Sequence, residues 1–155
     1  MKSNKQRLPL IYSCSGCSNI AQLANRVAIE LDRERRVEMS CIAGVGGGVT
    51  GLVGIAQSGR PVVALDGCPL HCVKHCLASQ GVVATQHHTL SEYGIKKRPK
   101  LDVEPADIVR VKAIVLENLS SKTHPRQPTT APQATKSNNR LTQKTRTNGR
   151  AVFSH

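Results

Sequence analysis

The chain has 155 residues, 22 Lys and Arg against 10 Asp and Glu, a net charge of +12, six cysteines and only three aromatic residues (Tyr12, Tyr93 and Phe153). That length suits one domain with a tail, and the composition excludes collagen and coiled-coil architectures. No apolar run approaches the roughly 20 residues that a membrane-spanning helix needs.

The charge is uneven. Residues 1–120 carry 15 basic and 10 acidic side chains, a balance of +5, whereas residues 121–155 carry seven basic and no acidic ones, a balance of +7. The second stretch is rich in Thr, Ser, Asn, Gln and Pro. It buries too little apolar surface to offset the entropy of ordering, so a disordered basic tail is predicted over 121–155 and a folded domain over 8–120. The tail's charge allows only loose contact with nucleic acid, because it offers no base-stacking platform. The apolar run Leu8 to Tyr12 is broken by Pro9 and falls short of the about 7–15 residues of a signal-peptide core, which predicts a cytoplasmic protein. In a reducing compartment six cysteines point to metal binding or thiol chemistry rather than to three structural disulfides.

In chain order, residues 8–13 read as a short buried strand. Ile20, Leu23, Ala24, Val27, Ala28 and Leu31 then recur at helical spacing, with Ser18 or Asn19 as cap and Arg33, Arg35 and Arg36 at the negative end. Residues 37–43 predict a second strand, followed by a glycine turn over Gly44–Gly48 and a short helix ending near Gly59. Pro61 opens a third strand, Val62-Val63-Ala64-Leu65, whose lack of alternation fits a strand covered on both faces. Pro69 suits the first turn of the next helix, which runs to about Ser79 with Gly81 as its stop. Residues 84–90 predict a fourth strand, 91–101 a basic loop read as solvated surface, and a last helix starts at Pro105 with Ile108, Val111, Val115 and Leu119 on one face. Alternating strands and helices mean an α/β fold, a three-layer sandwich with a mostly parallel sheet of about four strands, whose working site lies beyond the carboxyl ends of the strands.

All six cysteines fall at those ends. Cys14 and Cys17 follow the first strand, Cys41 is near the end of the second, and Cys68 ends the third, with Cys72 and Cys76 on the helix behind it. Thiolates are soft ligands suited to Zn²⁺ or to an iron–sulfur cluster. Three strand-end cysteines and one from the first helical turn make a four-thiolate set, Cys14, Cys41, Cys68 and Cys72, of the kind that closes a tetrahedral zinc site. Cys17 and Cys76 are second-tier candidates. Cys76 also reads as a small buried residue beside Leu77. On the helical wheel His71 and His75 fall with Lys74 toward solvent, which makes them weaker ligand candidates.

Two other readings stay open. Cys14-x-x-Cys17 between a strand and a helix is the setting of a thiol–disulfide redox motif. Gly46-x-Gly48-x-x-Gly51 between a strand and a helix, with Asp66 ending the next strand, has the form of a dinucleotide-binding fingerprint, although the run also serves as a tight turn. Asp66 alternatively caps the following helix or orients a ligand. No general base or nucleophile stands out, which weighs against a defined enzyme.

Cys14-Ser15-Gly16-Cys17, Gln22 to Ala28, Met39-Ser40-Cys41, Gly44 to Gly48 and Asp66-Gly67-Cys68-Pro69-Leu70-His71-Cys72 resemble the DGC-domain family, small prokaryotic proteins to which zinc binding is ascribed. Asp66-Gly67-Cys68 matches the motif that names the family, and the resemblance covers about residues 8–120. It implies chelation by Cys14, Cys41, Cys68 and Cys72, the set that strand-end geometry also selects. It implies no mechanism.

Overall fold

The computed structural model describes residues 7–121. The predicted tail lies, beyond Ser121, outside the described residues. Four strands, β1 (Leu10–Ser13), β2 (Glu38–Met39), β3 (Val62–Asp66) and β4 (Gln86–Thr89), form one sheet of order β2-β1-β3-β4, parallel throughout. Helices α1 (Asn19–Arg33), α2 (Ile42–Gly46), α3 (Thr50–Ala56), α4 (Cys72–Ser79) and α5 (Pro105–Ser121) cover it, with a 3-10 turn at Leu90–Tyr93. The fold is the predicted α/β sandwich.

The three layers follow from the side-chain alternation of β1 and β3. Leu10 pairs with Val62 and Ile11 with Val63. Ile11, Val63 and Leu65 face one core with Ile20, Leu23, Val27 and Leu31 of α1 and Val111 and Val115 of α5. Leu10, Tyr12, Val62 and Ala64 face a second core with Val45 of α2, Ala56 of α3 and Val73 and Leu77 of α4. Both faces are covered, so these strands carry no polar alternation. Among the described residues, no helix is long and apolar enough to cross a membrane.

The ends of the helices are set by local chemistry. Ser18 caps α1, its hydroxyl accepting the Ala21 N–H. Gly81, at φ +69°, closes α4, with the Val82 N–H reaching back to the Leu77 carbonyl and the Gly81 N–H to Ala78.

Several boundaries differ from the sequence expectation. The second strand shrinks to Glu38–Met39, because the chain leaves the sheet at Ser40 and turns into α2. The expected glycine turn is therefore half helix: Gly44 and Gly46 lie inside α2, and Gly48, at φ +72°, makes the actual break. The strand–turn–helix context of a dinucleotide fingerprint is not formed, since α2 stands between β2 and α3. Pro69 does not open α4, which begins at Cys72, after a turn that ends on His71 in the left-handed region at φ 48°. Arg35 and Arg36 lie beyond the end of α1, leaving Arg33 in its last turn.

Candidate metal centre

The carboxyl ends of β1 and β3 are neighbours, and the chain fixes them to each other by backbone contacts. The Cys14 N–H donates to the Leu65 carbonyl at 3.0 Å, and the Gly67 N–H donates to the Cys14 sulfur at 3.1 Å. Gly67 in turn lies against the start of α1: a Cβ there would stand 2.9 Å from the Ile20 carbonyl oxygen and 3.1 Å from the Ala21 nitrogen. Glycine is the residue this approach admits, which gives the Asp-Gly-Cys turn a steric reason.

Around this junction sit the thiols. Cys14 is half-buried beside Gly67, Cys68 half-buried on the turn beyond β3, and Cys72 exposed as the first residue of α4. Cys41 is exposed at the start of α2, where its side chain makes no capping bond. Cys17 is exposed in the loop before α1. Cys76 packs between α4 and α2: a Cβ on Gly46 would lie 2.9 Å from its sulfur. All six are free thiols.

Burial pushes the Cys14 thiol above its ordinary pKa. The Gly67 N–H opposes this, and the neighbouring charges of Asp66, Cys72 and Cys68 add to it. Burial also raises Cys76, with Cys72 and Asp66 adding to the shift. This junction resists negative charge, and a bound cation would reverse that balance. Among the described residues, no three His, Cys, Asp or Glu side chains are gathered so that they could hold a metal ion as they stand. The donor chemistry fits a soft cation, while the positions of the sulfurs do not yet enclose one.

Asp66 ends β3 and is 1% exposed. One carboxylate oxygen accepts the Val73 N–H at 2.8 Å, and the other accepts the Lys74 N–H at 3.2 Å and His87 Nε2–H at 2.9 Å. Asp66 is thus the capping aspartate allowed for by the sequence, acting across the sheet edge on the first turn of α4. Sequence reasoning missed its partner on β4. The β3–β4 register sets Asp66 opposite Thr89 and Ala64 opposite His87, so His87 and Thr89 share the Asp66 face. The alternation Gln86-His87-His88-Thr89 carried that signal, but only the register reveals its partner.

His71 corrects a second expectation. Instead of standing in solvent beside Lys74, it holds the position before α4, its ring edge-on to His87 at 4.9 Å and its Nε2 3.2 Å from the Thr89 hydroxyl. These contacts hold a non-glycine residue at positive φ. His75 is exposed, as expected.

The basic loop is also more ordered in its attachments than a solvated surface implies. Asn19, at the start of α1, grips it from both sides of Lys97. Its Nδ2 donates to the Lys96 carbonyl at 3.2 Å, its Oδ1 accepts the Arg98 N–H at 2.7 Å, and its own N–H donates to the Arg98 carbonyl at 3.1 Å. Ser18 and Pro99 form an isolated antiparallel bridge alongside. Lys97 Nζ lies 3.4 Å from the Cys68 sulfur.

A DGC-domain family model matches residues 10–115. The anaerobic and virulence modulator AnvM of Pseudomonas aeruginosa is 63% identical over 110 residues, which cover 71% of this chain and 84% of that protein. No solved structure matches the chain. The matched span runs from β1 into α5 and includes all six cysteines, so the chain belongs to the DGC-domain family.

Proposed function

We propose that this protein binds a metal ion, zinc foremost, through the thiolates of Cys14, Cys41, Cys68 and Cys72. The observation that carries the reading is the β1–β3 edge, where the Gly67 N–H bonds the Cys14 sulfur at 3.1 Å and Cys68 and Cys72 follow on the next turn and the start of α4. Soft donors crowded where negative charge is disfavoured have their charge problem relieved by a divalent cation. Cys41 comes from the neighbouring strand's end, where its side chain makes no capping bond, and both it and Cys72 are exposed. On this reading the rotamers of these two exposed side chains close the set around the ion. Asp66 holds the first turn of α4, and with it Cys72, against the sheet. Cys17 and Cys76 remain secondary: the first is exposed beyond the junction and the second is engaged in helix packing. A cytoplasmic setting, which keeps thiols reduced, suits this reading.

The same thiols could support an iron–sulfur cluster. The relative's description as an anaerobic modulator suits either centre, since thiolate–metal sites respond to oxidants. Metal analysis with a visible spectrum, on protein purified without oxygen, tests the proposal. One colourless zinc per chain, lost in the single Ser variants of Cys14, Cys41, Cys68 and Cys72 and kept in those of Cys17 and Cys76, is the expected result. Iron with sulfide and brown colour would replace zinc by a cluster. Protein free of metal, with metal not restored on titration, would overturn the reading.

A further inference from the structure

We propose that Cys68 is a mixed-disulfide site for a small disulfide bearing carboxylates, with Lys97 as the residue that recognises its negative charge. The proposal rests on the thiol edge itself and not on a bound metal. Cys68 is half-buried on a turn with Lys97 beside its sulfur, whereas Cys14 directs its sulfur at the Gly67 N–H and Cys76 is packed on Gly46. Cys17, Cys41 and Cys72 are more exposed, but among the described residues it is Cys68 that has an ammonium beside its sulfur, that of Lys97 at 3.4 Å.

The lysine is held there by design of the backbone. Asn19 is 8% exposed and bonds to residues 96 and 98, on either side of Lys97, which leaves the intervening backbone little freedom. Among the described residues, no carboxylate lies within ion-pair distance of Lys97. Lys96 and Arg98 instead line a separate hollow with Asp102, Glu104 and Asp107. Lys97 is therefore a cation with no carboxylate partner among the described residues, on a restrained backbone beside a half-buried thiol, an arrangement that favours an anionic reaction partner over a cationic one.

The step is a thiol–disulfide exchange. The Cys68 sulfur attacks one sulfur of the incoming disulfide, the new S–S bond forms as the old one breaks, and the departing sulfur leaves as a thiol with the proton given up by Cys68. The incoming disulfide is the oxidant, and no other reactant is needed.

The test uses the full chain, reduced and treated with a chelator, and exposes it separately to oxidised glutathione, which is anionic, and to cystamine, which is cationic. Intact mass and peptide mapping follow the adducts. The expected result is a first adduct at Cys68, formed faster with oxidised glutathione. The rate ratio should fall about fivefold in Lys97→Met, the upper reach of one exposed charge contact, and persist in Lys97→Arg. No adduct, a first adduct on another cysteine, or a ratio unchanged in Lys97→Met would overturn the proposal. Because no metal takes part, its failure leaves the metal reading standing, and failed metal binding leaves this one standing.

Discussion

Replacing Asp66 by Asn tests the edge at its most constrained point. Three N–H groups converge on a carboxylate that is 1% exposed: those of Val73 and Lys74 at the start of α4 and that of His87 on β4. Asparagine keeps the shape but offers one oxygen and one NH₂, so at least one donor must face another donor. Hydrogen bonds to a buried charge contribute about 1.5–3 kcal/mol each, and an unmet buried donor costs about 1–3 kcal/mol. Loss of one to two such bonds gives an expected destabilisation of about 3 kcal/mol, survivable for a domain of typical stability. The chain has no tryptophan, so urea unfolding is best followed by far-UV circular dichroism. With a urea slope of about 1–3 kcal/mol per molar, the midpoint should drop by roughly 1–3 M. His87→Ala should cost about half as much, because the two main-chain bonds remain, and the double variant should lose less than the sum of the singles. A loss below about 1 kcal/mol in Asp66→Asn, or strict additivity with His87→Ala, would refute the claim that this carboxylate ties α4 and β4 to the end of β3.

Gly67→Ala should destabilise by about 2 kcal/mol in the same assay, because the added methyl meets backbone atoms of Ile20 and Ala21 at 2.9–3.1 Å rather than a movable side chain. Gly46→Ala should also destabilise, but here the obstacle is the Cys76 sulfur, so adding Cys76→Ala should recover stability, which a double-variant cycle measures. From α5, Lys112 bridges Glu30 of α1 and Glu34 just beyond its end, and the hydrogen bonds of Lys112 and Arg26 to Glu30 hold its carboxyl below its ordinary pKa. A carboxyl lowered in the folded state contributes stability above its unfolded pKa of about 4.3 and loses that contribution as pH falls through the folded value. Glu30→Gln should therefore flatten the acid side of the stability–pH curve below about pH 4, and high salt should shrink the difference.

The fold was legible because its signals were redundant. The continuous apolar run Val62–Leu65 and the helical stripe from Ile20 to Leu31 each required burial, and the structure buries them on the two cores as expected. The segment 37–43 misled because its apolar residues fit strand and helix equally in so short a run, and the glycines after it proved compatible with a helical turn. The positions of Cys14, Cys41 and Cys68 just past the ends of β1, β2 and β3 were readable from strand order alone. The linkage of Asp66 to His87 was not, since it depends on which strand lies beside β3 and in what register. Lys97 was hidden for a similar reason. Its approach to Cys68 follows from Asn19, 78 positions earlier in the chain, whose polar side chain looked like a simple helix start.

The sheet has a complete apolar layer on each face, built from β1 and β3 inward and closed by α1 and α5 on one side and α2 to α4 on the other. Small domains that depend on an ion for folding use it in place of such a core. Here both cores are built by the described elements themselves, and Cys17, Cys41 and Cys72 stand exposed outside them while Cys14 packs against both. On the proposed reading, an ion or an oxidised thiol at that edge would be added to a sheet already covered on both faces. A change of chemical state there would then be separated from a change of fold, which the Ser variants of these cysteines test by comparing their unfolding midpoints with that of the parent chain.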